Sequence, residues 1–264
     1  MFVPPRPEIP QRDLGWFGTL AALRSNALAL WPRAAYEQDV LIRRLFGRPQ
    51  FLFNAPDAIH RVLVENAGNY RRPPATIRIL RPIVGEGLLL SEGDEWKNQR
   101  RIVAPALANR FIPTFARHIA AAAQEIVARF AQTAGKPLDL LAAMQALALQ
   151  IAARSMFSLD MDRHGAAVRA MLGRYRPRLG RPTPFDLILP PVIPTLRDLA
   201  RRRFRPGWIE LLDALIAYRL EAAPTGSGDL FDLLAAARDP DTGAALSRAQ
   251  LRDQIATMLV AGHE

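Results

Sequence analysis

Residues 246–264 read LSRAQLRDQIATMLVAGHE. Ser247, with Gln250 three residues on, is a capping-box pattern and predicts a helix starting there. Leu251, Ile255, Met258 and Leu259 follow at helical spacing and give one apolar face. Arg248, Arg252 and Asp253 lie in the first turns; after Asp253 nearly every residue is apolar. A helix that loses its polar face as it proceeds is entering a core. It then meets Ala261-Gly262-His263-Glu264. Glycine inside a helix costs about 1 kcal/mol against alanine, so a small pair suits a place where something large approaches the backbone. A carboxylate just beyond it, deep in a core, needs a partner or a chemical task. The same residues also fit a plainer arrangement, with Gly262 as a C-cap and Glu264 as a solvated end.

A second stretch carries paired donors. In Trp96-Lys97-Asn98-Gln99-Arg100, the Trp and the Arg are four apart and share one helix face. Indole N–H and guanidinium can only donate. A carboxylate between them would receive charge-assisted bonds, the strong kind. An exposed Trp beside a solvated Arg is the other reading. Asp94 is the expected N-cap of this helix, and Pro105 is expected to end it. Upstream, FLFNAPDAIHRVLVENAGNYRRP (51–73) reads as a strand, a Pro-Asp turn and a helix.

Taken in order, these segments resemble the cytochromes P450. Ala261, Gly262, His263 and Glu264 are similar to the first four positions of that family's small-Gly-x-acid-Thr motif over the haem iron. Trp96 and Arg100 match its Trp-x-x-x-Arg helix, flanked by GEGLLLSEGDEW and RIVAPAL, which contacts the haem propionates. The likeness covers nearly the whole chain. It implies a mainly α fold with a small β portion, the N-terminal part of the P450 fold, with residues 1–264 as a single incomplete domain. It implies a haem monooxygenase that puts one oxygen atom from O2 into a small apolar organic substrate. The electrons would come from a separate ferredoxin or flavoprotein. Trp96 and Arg100 would hold haem, Ala261 and Gly262 would make room for oxygen, and Glu264 would belong to the proton relay. Haem in this family hangs from a cysteine thiolate. This sequence has no cysteine, so the chain is expected to stop before that ligand and before the family's Glu-x-x-Arg pair, and to be inactive alone.

Composition narrows the alternatives. The 264 residues are 50% hydrophobic and 23% charged, an ordinary globular balance fitting one large domain or two smaller ones. Without cysteine there are no disulfides, zinc-thiolate sites or cysteine nucleophiles. The net charge is +10, and Lys97 and Lys136 are the only lysines among 35 basic residues. The arginines are scattered, apart from Arg201-Arg202-Arg203, and no aromatics interleave with them, so no nucleic-acid partner is expected. Residues 1–13 are too rich in proline for a signal peptide. The longest uncharged run, 140–153, falls short of the ~20 residues a bilayer needs. No membrane anchor and a cytoplasmic location are therefore expected. His60, His118, His164 and His263 show no metalloprotease spacing, and His118 is expected in solvent. Gly85-Glu86-Gly87 is too short for a phosphate loop. A non-catalytic helical protein binding an apolar ligand or partner is the alternative function.

Helices are expected over 18–31, 111–134 (burying Phe115, Ile119, Ile126, Val127 and Phe130), 137–157 (wholly internal), 196–222, 229–237 and 247 onward. Residues 34–46 predict a helix or a helix-to-strand passage, and 50–54 a strand. The helix after Pro56 should turn Ile59, Val62 and Leu63 inward. Residues 70–90, with three prolines and two glycines, predict no regular element; Ile77, Ile79, Leu80, Ile83 and Val84 there would wall a pocket or pack on themselves. The Pro- and Arg-rich 174–194 segment is the expected mobile lid.

Overall fold

The computed structural model describes residues 8–157, 161–221 and 229–262. In chain order the elements are α1 (Trp16–Ser25), α2 (Ala34–Glu37), β1 (Val40–Leu45), β2 (Arg48–Phe53), α3 (Pro56–His60), α4 (Pro74–Val84), α5 (Gly93–Val103), α6 (Ile112–Gln132) and α7 (Leu140–Phe157). They continue with α8 (Met161–Arg178), α9 (Pro184–Ile188), α10 (Leu196–Glu221), α11 (Leu230–Ala236) and α12 (Arg248–Ala261). Among the described residues the fold is mainly α with one two-stranded sheet, as the resemblance implies. No helix among the described residues is long and apolar enough to cross a membrane. The chain divides into two compact units, one of residues up to 75 with 182–195, the other of 76–181 with 196 onward.

The first unit is built on the β1–β2 hairpin, antiparallel with Leu45 opposite Arg48. Phe46 and Gly47 both have positive φ (51° and 77°), the backbone that a two-residue turn between twisted strands requires. Arg43 is buried in β1. It donates to Gln50 Oε1 across the sheet (3.2 Å) and to the Leu30 carbonyl (2.6 Å), and lies over the Trp31 ring. The helix after Pro56 differs from expectation: α3 gives way to a π-helical turn over Arg61–Glu65, and Ile59 and Leu63 are exposed. The wider turn breaks the 3.6-residue spacing on which the inward face was read. In the 174–194 segment, α9 is set by a full capping box between Thr183 and Asp186.

The second unit holds the main core, with Leu149 of α7, Leu212 and Ile216 of α10, Leu234 of α11, and Ile255 and Leu259 of α12 at its centre. Residues 70–90 contain a regular helix after all. Pro74 starts α4, where its missing N–H is harmless. Pro82 sits inside it, and donors from other helices reach carbonyls of its last turns. The Tyr175 hydroxyl donates to Ile79 C=O, Arg205 Nη1 to Arg81 C=O (2.9 Å) and Trp208 Nε1 to Ile83 C=O (2.7 Å). Ile79, Ile83 and Val84 are buried. Along α6 the buried stripe is narrow, Ala122 and Ile126; Ile119 and Val127 flank it and are exposed, contrary to expectation. The buried residues of α7 lie in its C-terminal half, at Leu149, Ala152, Ala153 and Met156, and α6, α8, α11 and α12 pack on the helix. Its first turn exposes Leu140 and Leu141.

Candidate functional site

The helix α12 begins as its sequence predicts. Ser247 Oγ accepts from Gln250 N–H (3.2 Å), and Gln250 Oε1 accepts from Ser247 N–H (2.9 Å). Leu251, Gln254, Ile255, Ala256, Thr257 and Leu259 are buried. Gly262 is the C-cap, its N–H bonded to Met258 C=O at 2.8 Å. A Cβ at Gly262 would stand 3.0 Å from Ala152 Cβ, so glycine there lets α12 close on α7. Ala261 is exposed. His263 and Glu264 lie outside the described residues.

The polar residues of α12 grip the turn that leads into α5. Gly85 has φ +61°, and a Cβ there would fall 2.2 Å from Asp253 Cγ. A Cβ at Gly87 would fall 2.5 Å from Thr257 Oγ1 and 2.6 Å from Asp253 C=O. Asp253 Oδ2 accepts from Glu86 N–H (2.8 Å), and Gln254 Oε1 accepts from Leu88 N–H (3.2 Å). The Gly85-Glu86-Gly87 run is therefore a helix-docking turn; only glycine admits so close an approach.

On α5 the expected N-cap is corrected: Glu92 holds that position. Asp94 lies within the first turn, where its carboxylate takes Lys97 Nζ at 3.0 Å; that bond holds its carboxyl below the usual range. Gln99, Ile102 and Val103 face inward. Trp96 is half-buried and Arg100 exposed, with Arg100 Cζ 5.3 Å from the Trp96 ring centroid. Neither has a carboxylate partner among the described residues. Arg101 is different: it bonds Asp241 Oδ2 (2.6 Å) and Asn98 Oδ1 (2.8 Å), and reaches Asp239 Oδ2 (3.3 Å).

The structure thus brings Trp96 and Arg100 together, and ties their helix to α12. Ala261 and Gly262 lie farther along α12, about 10–12 Å of helix rise beyond Gln254. Sequence reading missed Gln99, Asp253 and Gln254. The available signal was a polar pair at the start of the apolar run that enters the core, since a buried amide demands a partner. It also missed the buried Arg219, which pairs with Asp229 Oδ2 (2.8 Å) and Asp232 Oδ1 (2.9 Å). His118 is corrected as well. It is half-buried, and its Nε2 has no hydrogen-bond partner among the described residues. Burial, reinforced by Arg117 and Arg154 and opposed by Asp229, lowers its pKa from the ordinary 6.5.

The donor set of Trp96 Nε1 and the Arg100 guanidinium fits one or two carboxylates of an incoming group. A haem propionate meets that requirement. A thiolate for the iron is not available from this sequence, which has no cysteine.

Comparison with known proteins gives the family. The profile of the Cytochrome P450 family matches residues 14–264. The chain is 32% identical over 232 residues to cyclooctatin synthase of Streptomyces melanosporofaciens, covering 86% of this chain and 49% of that protein. It is 31% identical over 262 residues to cyclooctat-9-en-7-ol 5-monooxygenase of the same organism, covering 92% and 53%. The crystal structure of the cytochrome P450DA heme domain matches with a TM-score of 0.72 at 22% identity, over 97% of this chain and 56% of that one. The chain spans about half the length of the curated relatives it matches.

Proposed function

Because this chain belongs to the cytochrome P450 family, we propose that it is the N-terminal part of a haem monooxygenase that inserts one oxygen atom from O2 into a small apolar organic substrate. The observation that carries the reading is the Trp96–Arg100 pair. Two donor-only groups share one face of α5 without a carboxylate among the described residues, on a helix that α12 holds in place. Haem, when bound, supplies the activation of O2 with two electrons and two protons.

The chain's own residues have positional tasks. Trp96 Nε1 and Arg100 bind and orient the propionates. Ala261, small and exposed at the end of α12, leaves room for a small ligand, while Gly262 lets α12 close on α7 at Ala152. Glu264 holds and passes a proton. The relative named cyclooctat-9-en-7-ol 5-monooxygenase supports oxygen insertion into an apolar organic molecule. A ferredoxin or flavoprotein is the electron donor, and the location is cytoplasmic. The chain alone, without a cysteine, is inactive.

Sequencing the coding DNA past codon 264 tests this reading. We expect a Thr codon next, then Glu-x-x-Arg, then Phe-x-x-Gly-x-x-x-Cys in the same frame. A frame that continues without the cysteine loop contradicts the monooxygenase.

A further inference from the structure

The two helices of the candidate site meet through a pair of buried carboxamides. Gln254 is fully buried, and Gln99 is 2% exposed. Gln254 Nε2 donates to Gln99 Oε1 at 2.6 Å. The other ends are also engaged. Gln254 Oε1 accepts from Leu88 N–H, and Gln99 Nε2 donates to Glu86 C=O (3.0 Å) and to Glu95 Oε1 (2.8 Å). Turning either amide end for end would set donor against donor or acceptor against acceptor, so both orientations are fixed.

Apolar side chains here would pack as well but leave α5 free to roll, because apolar contact is non-directional. Hydrogen bonds accept a donor–acceptor spread of only about 0.5 Å. Gln99 stands three residues after Trp96 and directly before Arg100. A roll that moved Gln99 would carry both donors with it, since the helix turns as one body.

We propose that Gln99 and Gln254 are positioning residues for the carboxylate-binding face of α5. Their bond fixes the rotation of α5 against α12, and thereby the aim of Trp96 Nε1 and the Arg100 guanidinium. This rests on the reading of Trp96 and Arg100 as propionate-binding residues.

The test titrates the 264-residue chain with haemin and with haemin dimethyl ester, which has the same ring but no carboxylates. Absorbance gives the two affinities, and circular dichroism follows helix content. The wild-type chain prefers haemin by about tenfold, and Arg100→Ala brings the ratio near one. Gln254→Asn, one methylene shorter, and Gln99→Met each lower the ratio by about threefold or more, with ester affinity and helix content retained. A merely structural change would weaken both ligands equally. If the two glutamine variants keep the wild-type ratio while Arg100→Ala loses it, the positioning role is wrong and the propionate reading stands. If Arg100→Ala keeps the ratio, the propionate reading itself fails. A glutamine variant that loses its helix content also counts against the proposal, since the pair would then hold the fold rather than aim the donors.

Discussion

Arg100 lies with its Cζ 5.3 Å from the Trp96 ring centroid, and it is the open member of an arginine pair. Its neighbour Arg101 is bound across to Asp241 and Asp239. Adjacent guanidiniums on one helix thus have different surroundings: one ties α5 to the 239–243 turn, and the other is exposed beside the Trp96 ring. Arg101→Ala should therefore loosen that turn slightly without touching the anion site. Hydrogen exchange at Thr242 N–H, which donates to Asp239 Oδ1 at 3.0 Å, should quicken while haemin affinity holds.

Two glycines separate backbone strain from crowding. Gly85 and Gly93 have nearly the same φ, +61° and +59°, but an added Cβ meets Asp253 at Gly85 and nothing within 4 Å at Gly93. Gly93→Ala should cost about 1–3 kcal/mol, from the left-handed backbone alone. Gly85→Ala should cost about 1–3 kcal/mol more, from overpacking against α12. Urea unfolding of both variants measures the difference. Equal losses would mean that α12 does not press on the turn.

Arg219, Asp229 and Asp232 make a buried charge cluster between α10 and α11. Asp229 also caps α11, accepting from Asp232 N–H at 2.9 Å. Arg219→Met leaves a fully buried carboxylate without its cation, and should destabilise the chain by about 3–5 kcal/mol in urea unfolding. A loss below about 1 kcal/mol would contradict the burial of this pair.

His118 sets a pH dependence whose sign follows from its lowered pKa. The folded state favours the neutral ring. Its contribution to stability is fully present above the ordinary histidine value of 6.5, and is lost as pH falls toward the lower folded value. His118→Leu should flatten the stability profile in that window and leave stability at higher pH unreduced. An unchanged acid slope in His118→Leu would place the titration elsewhere.

Much of this was legible in the sequence, and the failures have physical causes. The capping box of α12, a strand over 50–54 and the pairing of Trp96 with Arg100 follow from local spacing, which one sequence displays; the antiparallel pairing of β1 with β2 was not read. The burial of α6 and α7 was overestimated, because periodicity marks an apolar face but not how much of it a neighbour covers. The helix over 74–84 was missed because three prolines and two glycines in 70–90 read as breakers, while the contacts that hold its last turns are tertiary. Tyr175 and Trp208, each about a hundred residues away, satisfy carbonyls in its last turns. Gln99 and Gln254 were passed over for the same reason: each is an ordinary polar residue until the other is known to face it.

The account turns on whether Arg100 holds a haem carboxylate. The most direct measurement is transfer of haemin from the chain to apomyoglobin, compared among wild type, Trp96→Phe, Arg100→Ala and Arg101→Ala. Removing a charged hydrogen-bond partner costs about 1.5–3 kcal/mol, so Arg100→Ala should retain haemin about tenfold or more less well. Trp96→Phe, which loses one neutral donor, should fall by about fivefold, and Arg101→Ala should match wild type. Equal retention in Arg100→Ala and Arg101→Ala would contradict the account, and would leave the Trp96–Arg100 pair as an ordinary surface contact.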